Sequence, residues 1–248
     1  MKNIIKLSKN SYKLIVIMIV ISIIAIITAK IYYGNINKSE DPRTIHIREL
    51  YKKYTLFVKK NDFDNAVVTL NKIEIEYKKI EHYKKSFEIG VIYTNRAALY
   101  LTLALYHSPE EIEKQSNLNI AEKLLNTSLI YYKEWENKYK NLSKSELSKL
   151  IITDFEDIKK NSDVIIKKRV EDIKLAINEI NRRTSVTYTN LGIVKRHQKK
   201  FKEAIEYYQK AIKLWEENFT AKNNLRVLLG KKPQKRGFIE KMFPKDRN

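Results

Sequence analysis

SVTYTNLGIVKRHQKKFKEAIEYYQKAIKLWEEN, residues 185–218, is the stretch that decides the fold. In its second half Phe201, Ala204, Ile205, Tyr208, Ala211, Ile212 and Trp215 recur at spacings of three, one, three, three, one and three. A helix of 3.6 residues per turn gathers those positions into one stripe, and a stripe of that width faces a core. Three further choices matter: Gly192, Ala204 and Ala211 are small. Two antiparallel helices need small side chains where their backbones approach, with aromatic rings filling the space between neighbouring pairs. The stretch therefore reads as a helical hairpin.

Working outward, the same order of residues returns in weaker form. Lys59-Lys-Asn-Asp62-Phe63 leads into Ala66, Leu70 and Ile73, with Leu50, Tyr54 and Phe57 on the helix before it. Tyr93-Thr-Asn95-Arg-Ala97 echoes Tyr188-Thr-Asn190-Leu-Gly192, and Ala121, Leu125 and Ser128 occupy the matching places on the partner helix, expected from about Asn119. Tyr106 to Leu118 then reads as an inserted loop. Ser143-x2-Glu146 is a capping box opening a helix to about Lys160, and Asn161-Ser-Asp163 precedes a helix over Val164–Asn181. That pair is either a degenerate repeat or one long bent helix. Residues 219–229 read as a first helix without its partner, stopped by Gly230.

Residues 185–218 resemble one tetratricopeptide repeat (TPR), and the resemblance extends more weakly over His46 to Gly230. Lys195, where the family has an aromatic, and Glu216, in place of a helix-ending proline, depart from its pattern. The resemblance implies an all-α, TPR-like helical-hairpin solenoid, residues 46–230, with a terminal capping helix and a concave face that binds peptides or proteins. In its domain order the chain is similar to single-pass TPR proteins of the bacterial envelope.

Composition agrees with a helical stack. Only 5 Gly and 4 Pro occur in 248 residues, too few for a fold rich in hairpin turns, and 43% hydrophobic residues is too apolar for a disordered polymer. With no Cys there is no disulfide framework, no thiolate metal site and no cysteine nucleophile.

Residues 14–33 predict one transmembrane helix ahead of the solenoid. Leu14 to Ala29 is an uncharged run, and Lys30 with Tyr32 and Tyr33 extends it to the length a bilayer core requires. Lys2, Lys6, Lys9 and Lys13 in the basic stretch 1–13 place the N-terminus in the cytoplasm and the bulk outside, periplasmic or exported. A cleaved signal peptide and a buried core helix are the alternatives; against the first, cleavage at Ala29 would put Ile27 where a small residue is wanted. Residues 34–45, with Pro42, read as a linker.

No motif for catalysis emerges. His46, His82, His107 and His197 sit in no metal-ligand spacing, and no GxxxxGK[ST], GxGxxG or GxSxG occurs. The expectation is a protein without catalytic residues, metal or cofactor. Asn95, Asn190 and Asn224 fall at equivalent places on three first helices, on the side that lines the groove in TPR proteins; an amide offers two donors and an acceptor to a peptide backbone. With Thr189 and Ile193 where a two-carboxylate clamp would need polar groups, a C-terminal acidic peptide of that type is not favoured.

Charge supplies the competing reading. The net charge is +20, and setting aside the five lysines of the first thirty residues leaves 44 cations against 29 acids. Lys195, Arg196, Lys199 and Lys200, with Lys231, Lys232, Lys235 and Arg236 of the tail 231–248, form a basic patch. The leading expectation is a membrane-anchored, extracytoplasmic scaffold that binds an envelope protein or peptide. The alternative is a basic module for anionic lipid, wall polymer or nucleic acid, the last disfavoured outside the cytoplasm.

Overall fold

The computed structural model describes residues 39–158 and 160–235, together with Met18 and residues 21–23. The span read into Leu14–Tyr33 thus lies outside the described residues except at Met18 and 21–23, which are helical, and so does Arg236. Among the described residues no strand occurs, and no helix is long and apolar enough to cross a membrane.

From residue 45 to residue 228 the described chain is a succession of helices: α1 (Ile45–Lys59), α2 (Phe63–Lys79), α3 (Phe87–Tyr106), α4 (Glu111–Tyr139), α5 (Lys144–Ile151), α6 (Ser162–His197), α7 (Phe201–Leu214) and α8 (Phe219–Leu228). α1 pairs with α2, α3 with α4, and the C-terminal half of α6 with α7. Each following first helix then lies on the pair before it: α3 against α2, α6 against α4 and α3, α8 against α7 and α6. This is a stack of hairpins with three buried clusters along it, one around Ile47, Leu70 and Ile89, one around Ala97, Leu125 and Leu191, and one around Trp135, Phe155 and Ile173.

The α1–α2 and α6–α7 turns share one chemistry. Asn61 and Lys199 both adopt left-handed backbone, φ 57° and 62°, and each is followed by an amide that reaches back to a carbonyl of the first helix: Asp62 N to Phe57 O, 2.9 Å, and Lys200 N to Lys195 O, 2.8 Å. That is the Schellman arrangement, which satisfies orphan carbonyls while reversing the chain. Gly230, φ 74°, closes α8 the same way, with Lys231 N donating to Arg226 O at 2.9 Å.

Close approach explains the small residues. Ala204 and Ala211 are fully buried, and a Cβ added to Gly192 would lie 2.5 Å from Cε1 of the buried Tyr208 ring. Gly90 meets Tyr132 in the same way at 2.6 Å. Gly192→Ala therefore displaces a fully packed ring; urea unfolding should show a loss of about 1–3 kcal/mol, and a neutral result would mean that α6 and α7 are not in contact there.

Buried hydroxyls weld hairpin to hairpin. Thr94 Oγ1 lies 2.7 Å from Ser128 Oγ, 3.2 Å from Tyr132 Oη and 3.3 Å from Thr187 Oγ1, joining α3, α4 and α6, while Ser128 donates to Gly90 O at 2.9 Å. One junction later, Ser185 donates to Ala211 O at 2.7 Å, and Asn218 Nδ2 donates to Ser185 and Thr189 at 2.8 and 2.9 Å while its Oδ1 caps α8 through Ala221 N. Satisfied polar groups of this kind cost little and fix which faces meet.

Four boundaries differ from the sequence reading. The expected loop 106–118 is mostly helix: α4 begins at Glu111, where Glu111 and Glu113 favour the positive end of the helix dipole. The helix expected over Val164–Asn181 and the first helix of the clear hairpin are one 36-residue rod, α6, because Arg182-Arg-Thr184 contains nothing that breaks a helix. α5 stops at Ile151 and passes through a 3-10 turn, Ile152–Phe155, rather than running to Lys160. The linker 34–45 is folded at its end: Asp41 accepts from Arg43 N at 2.9 Å to cap a 3-10 turn, and Arg43 donates to Asp157 and to Asp154 O at 2.9 and 3.0 Å. The overrunning halves of α4 and α6 pack with α5 around Trp135, Tyr139, Phe155 and Ile173.

Candidate partner-binding surface

Asn95 on α3, Asn190 on α6 and Asn224 on α8 lie on three helices that pack successively against one another. Each is partly buried, and none of the three side-chain amides is hydrogen-bonded to another described residue. A side-chain amide carries two donors and an acceptor, the set that pairs with extended backbone. The neighbouring amide is differently engaged: Asn223 Oδ1 accepts from Gln234 N at 2.7 Å, which folds the chain after Gly230 back along α8.

The basic patch divides. Lys195 does not belong to it: it is 5% exposed and held between Glu122 and Glu203 at 2.7 and 3.0 Å, a contact that joins α4, α6 and α7. Burial lowers the lysine's pKa and the two carboxylates more than restore it, so it stays charged and neutralised. Arg196, partly buried, and exposed Lys199 and Lys200 sit at the α6–α7 turn, whereas exposed Lys231, Lys232 and Lys235 follow α8.

Between the first two hairpins one carboxylate organises the surface. Glu74 of α2 accepts from Lys78 at 2.5 Å, from Tyr93 Oη at 2.8 Å and from Arg96 at 2.5 Å. Burial opposes its charge, but those three donors hold its pKa below the usual carboxylate range. Tyr93 stacks on Tyr131, 5.5 Å between centroids, with Lys78 and Arg96 over its ring. That junction is closed by its own side chains.

Hairpins with tight αL turns, small residues at the crossing and hydroxyl seams between units point to one repeat type. Residues 185–218 match the tetratricopeptide repeat. The match spans α6 from Ser185, all of α7, and Asn218, the residue that caps α8. No curated protein matches the chain. Tetratricopeptide repeats generally mediate protein–protein interaction, and the family is typically a non-catalytic scaffold. The hairpins on its N-terminal side stack in the same manner, and α8 covers its C-terminal side.

A charged cluster at the opposite end had no signature in the sequence. Arg169 of α6 is 5% exposed; its Nε donates to His82 Nε2 at 2.8 Å and its terminal nitrogen to Glu88 at 2.5 Å. Tyr83 and Trp135 rings lie 4.5 and 5.4 Å from its guanidinium. Since arginine only donates, His82 Nε2 must accept, which leaves Nδ1–H to donate to Asp154 at 2.7 Å. Positions 82, 88, 154 and 169 share no periodicity, so only folding reveals them. Together they tie α6 to the 3-10 turns at 81–83 and 152–155 and to the start of α3. Among the described residues no group of three or more acidic or imidazole side chains is placed to hold a metal.

Proposed function

We propose that this chain is a membrane-anchored scaffold whose hairpin stack holds a protein partner outside the cytoplasm. The observation that carries the reading is the trio Asn95, Asn190 and Asn224, partly buried and with side-chain amides hydrogen-bonded to none of the described residues, on adjacent first helices of a stack containing a tetratricopeptide repeat. The apolar run 14–29 with its lysine-rich leader supports anchoring and orientation. A span ending at Tyr33 and a docked segment starting at Asp41 leave seven residues between them, at most about 25 Å of extended chain. The stack would then stand close to the bilayer with the Arg43–Asp157 corner nearest to it.

The competing basic-module reading loses Lys195 to internal ion pairs but keeps the exposed lysines after α8. One experiment separates the two: crosslinking and pulldown from intact membranes with Asn95→Ala, Asn190→Ala and Asn224→Ala together, against Lys231→Gln, Lys232→Gln, Lys235→Gln and Arg236→Gln together. An amide lost from a desolvated contact costs about 1–3 kcal/mol of binding. The amide variant should therefore lose capture at unchanged fold, while the tail variant alters mainly salt dependence. Capture that survives the amide changes and vanishes with the tail changes replaces the scaffold by the basic module.

A further inference from the structure

The second inter-hairpin junction lacks the carboxylate that closes the first. Aligning α4 on α2 by Ala66 with Ala121, Leu70 with Leu125 and Ile73 with Ser128 sets Leu129 opposite Glu74 and Lys133 opposite Lys78. Tyr188 likewise takes the place of Tyr93, and it stacks on Tyr207 at 6.0 Å. What was a neutralised junction is here an open cleft of about 560 Å³, floored by Leu129, Tyr132, Tyr188 and Leu214. Lys133, Lys210 and Lys213 rim it, and none is paired with an acid among the described residues. Lys210 lies over the rings of Tyr207 and Tyr188, 5.3 and 6.0 Å from their centroids. The one lining acid, Glu136, is engaged by Lys140 at 2.7 Å.

We infer that this cleft receives an acidic segment of a partner protein, a Glu or Asp supplying the missing carboxylate to Lys133 and Lys210 while an adjacent apolar side chain packs on Leu129 and Leu214. The inference rests on the scaffold reading and gives it a second contact. Charge chooses the occupant: a second copy of this chain carries +20, and its own tail brings further lysines, so both are repelled from a cationic cleft. An acidic peptide with apolar residues satisfies both the rim and the floor.

The test uses the full chain in neutral detergent, with a fluorescein-labelled octapeptide of alternating Glu and Leu as probe and its Gln-for-Glu analogue as control. Leu129→Glu places the carboxylate of the first junction at a half-buried helix position packed against the core, so circular dichroism of the variant is read beside its binding, and the lysine triple at exposed positions carries the test independently of folding. It should weaken binding of the acidic peptide at least tenfold, as should the triple Lys133→Gln, Lys210→Gln, Lys213→Gln. Lys199→Gln with Lys200→Gln should change it less than twofold. Equal binding of the Gln analogue, or an acidic peptide indifferent to Leu129→Glu, overturns the cleft assignment. So does a Leu129→Glu effect confined to phosphatidylglycerol vesicles, which would make the occupant lipid. The amide-trio capture reports separately on the scaffold reading, and its failure with octapeptide binding intact would remove that reading and leave the cleft.

Discussion

Arg169→Leu should lower the unfolding free energy by about 3–5 kcal/mol, the largest effect expected of any single replacement in this fold. Arg169 is the shared donor of a buried cluster, and its removal strands two groups at once. Glu88 keeps its charge without its guanidinium, and His82 Nε2 faces an apolar wall without a donor. Removing one member of a buried pair costs more than the pair itself contributes, because the partner's desolvation is left uncompensated. The double variant Arg169→Met with Glu88→Gln should recover part of the loss for the same reason. Arg169→Lys keeps the charge but lacks Nε, so it cannot bridge histidine and carboxylate together. Urea unfolding at pH 7.5 measures all three; a single-variant loss under 1 kcal/mol would mean that the cluster does not clamp α6 to the turn before α3.

The second large effect is on acid stability. Burial first, and then the Arg169 charge, push the His82 pKa from its ordinary 6.5 down to about 4, against the pull of Asp154. The folded state therefore binds its proton later than the unfolded state as pH falls. The contribution is complete above pH 6.5 and is lost between there and pH 4, about 2 kcal/mol by pH 5 and about 3 kcal/mol by pH 4. Carboxylates such as Glu74, held low by their donors, lose their contribution only near and below the ordinary carboxylate pKa. The interval from pH 6.5 to 5 thus separates the lowered histidines, His82 and also His197, which burial and then the Arg196 and Lys114 charges hold down, from the carboxylates. In His82→Phe the protein should be weaker at neutral pH, and the slope over that interval should fall to the share that His197 contributes. An unchanged slope would assign the acid sensitivity elsewhere.

The hairpin at 185–218 was readable because its signals are local. Gly192, Ala204 and Ala211 are small where the helices touch, and the periodic stripe is buried at Ala204, Tyr208 and Ala211, although Phe201 at its start is exposed. What lay outside local reach was where helices fail to stop. Asn161, with φ 60°, does mark the start of α6, but the absence of a breaker between Asn181 and Ser185 leaves no positive mark of continuity. Lys195 shows the corresponding limit for charge. A run of basic residues suggests a patch, while Glu122, seventy-three residues earlier, turns one of them into an internal contact. The cleft at α4, α6 and α7 was hidden for a related reason: Leu129 is unremarkable until the helices are aligned and Glu74 is seen to close the sister junction. The asparagine trio was visible as a recurrence in sequence, and folding adds that its members are partly buried while their side-chain amides bond to no other described residue.

The most direct test places a photo-crosslinking amino acid at position 190 in the full chain and irradiates intact cells, with the same probe at Leu175, an exposed site on the other half of α6, as control. A protein held across the first helices predicts one discrete protein adduct from position 190, lost when Asn95 and Asn224 are both replaced by Ala, and none of that mass from position 175. Adducts to lipid alone, or the same protein adduct from both positions, would contradict a scaffold that recognises its partner through this surface.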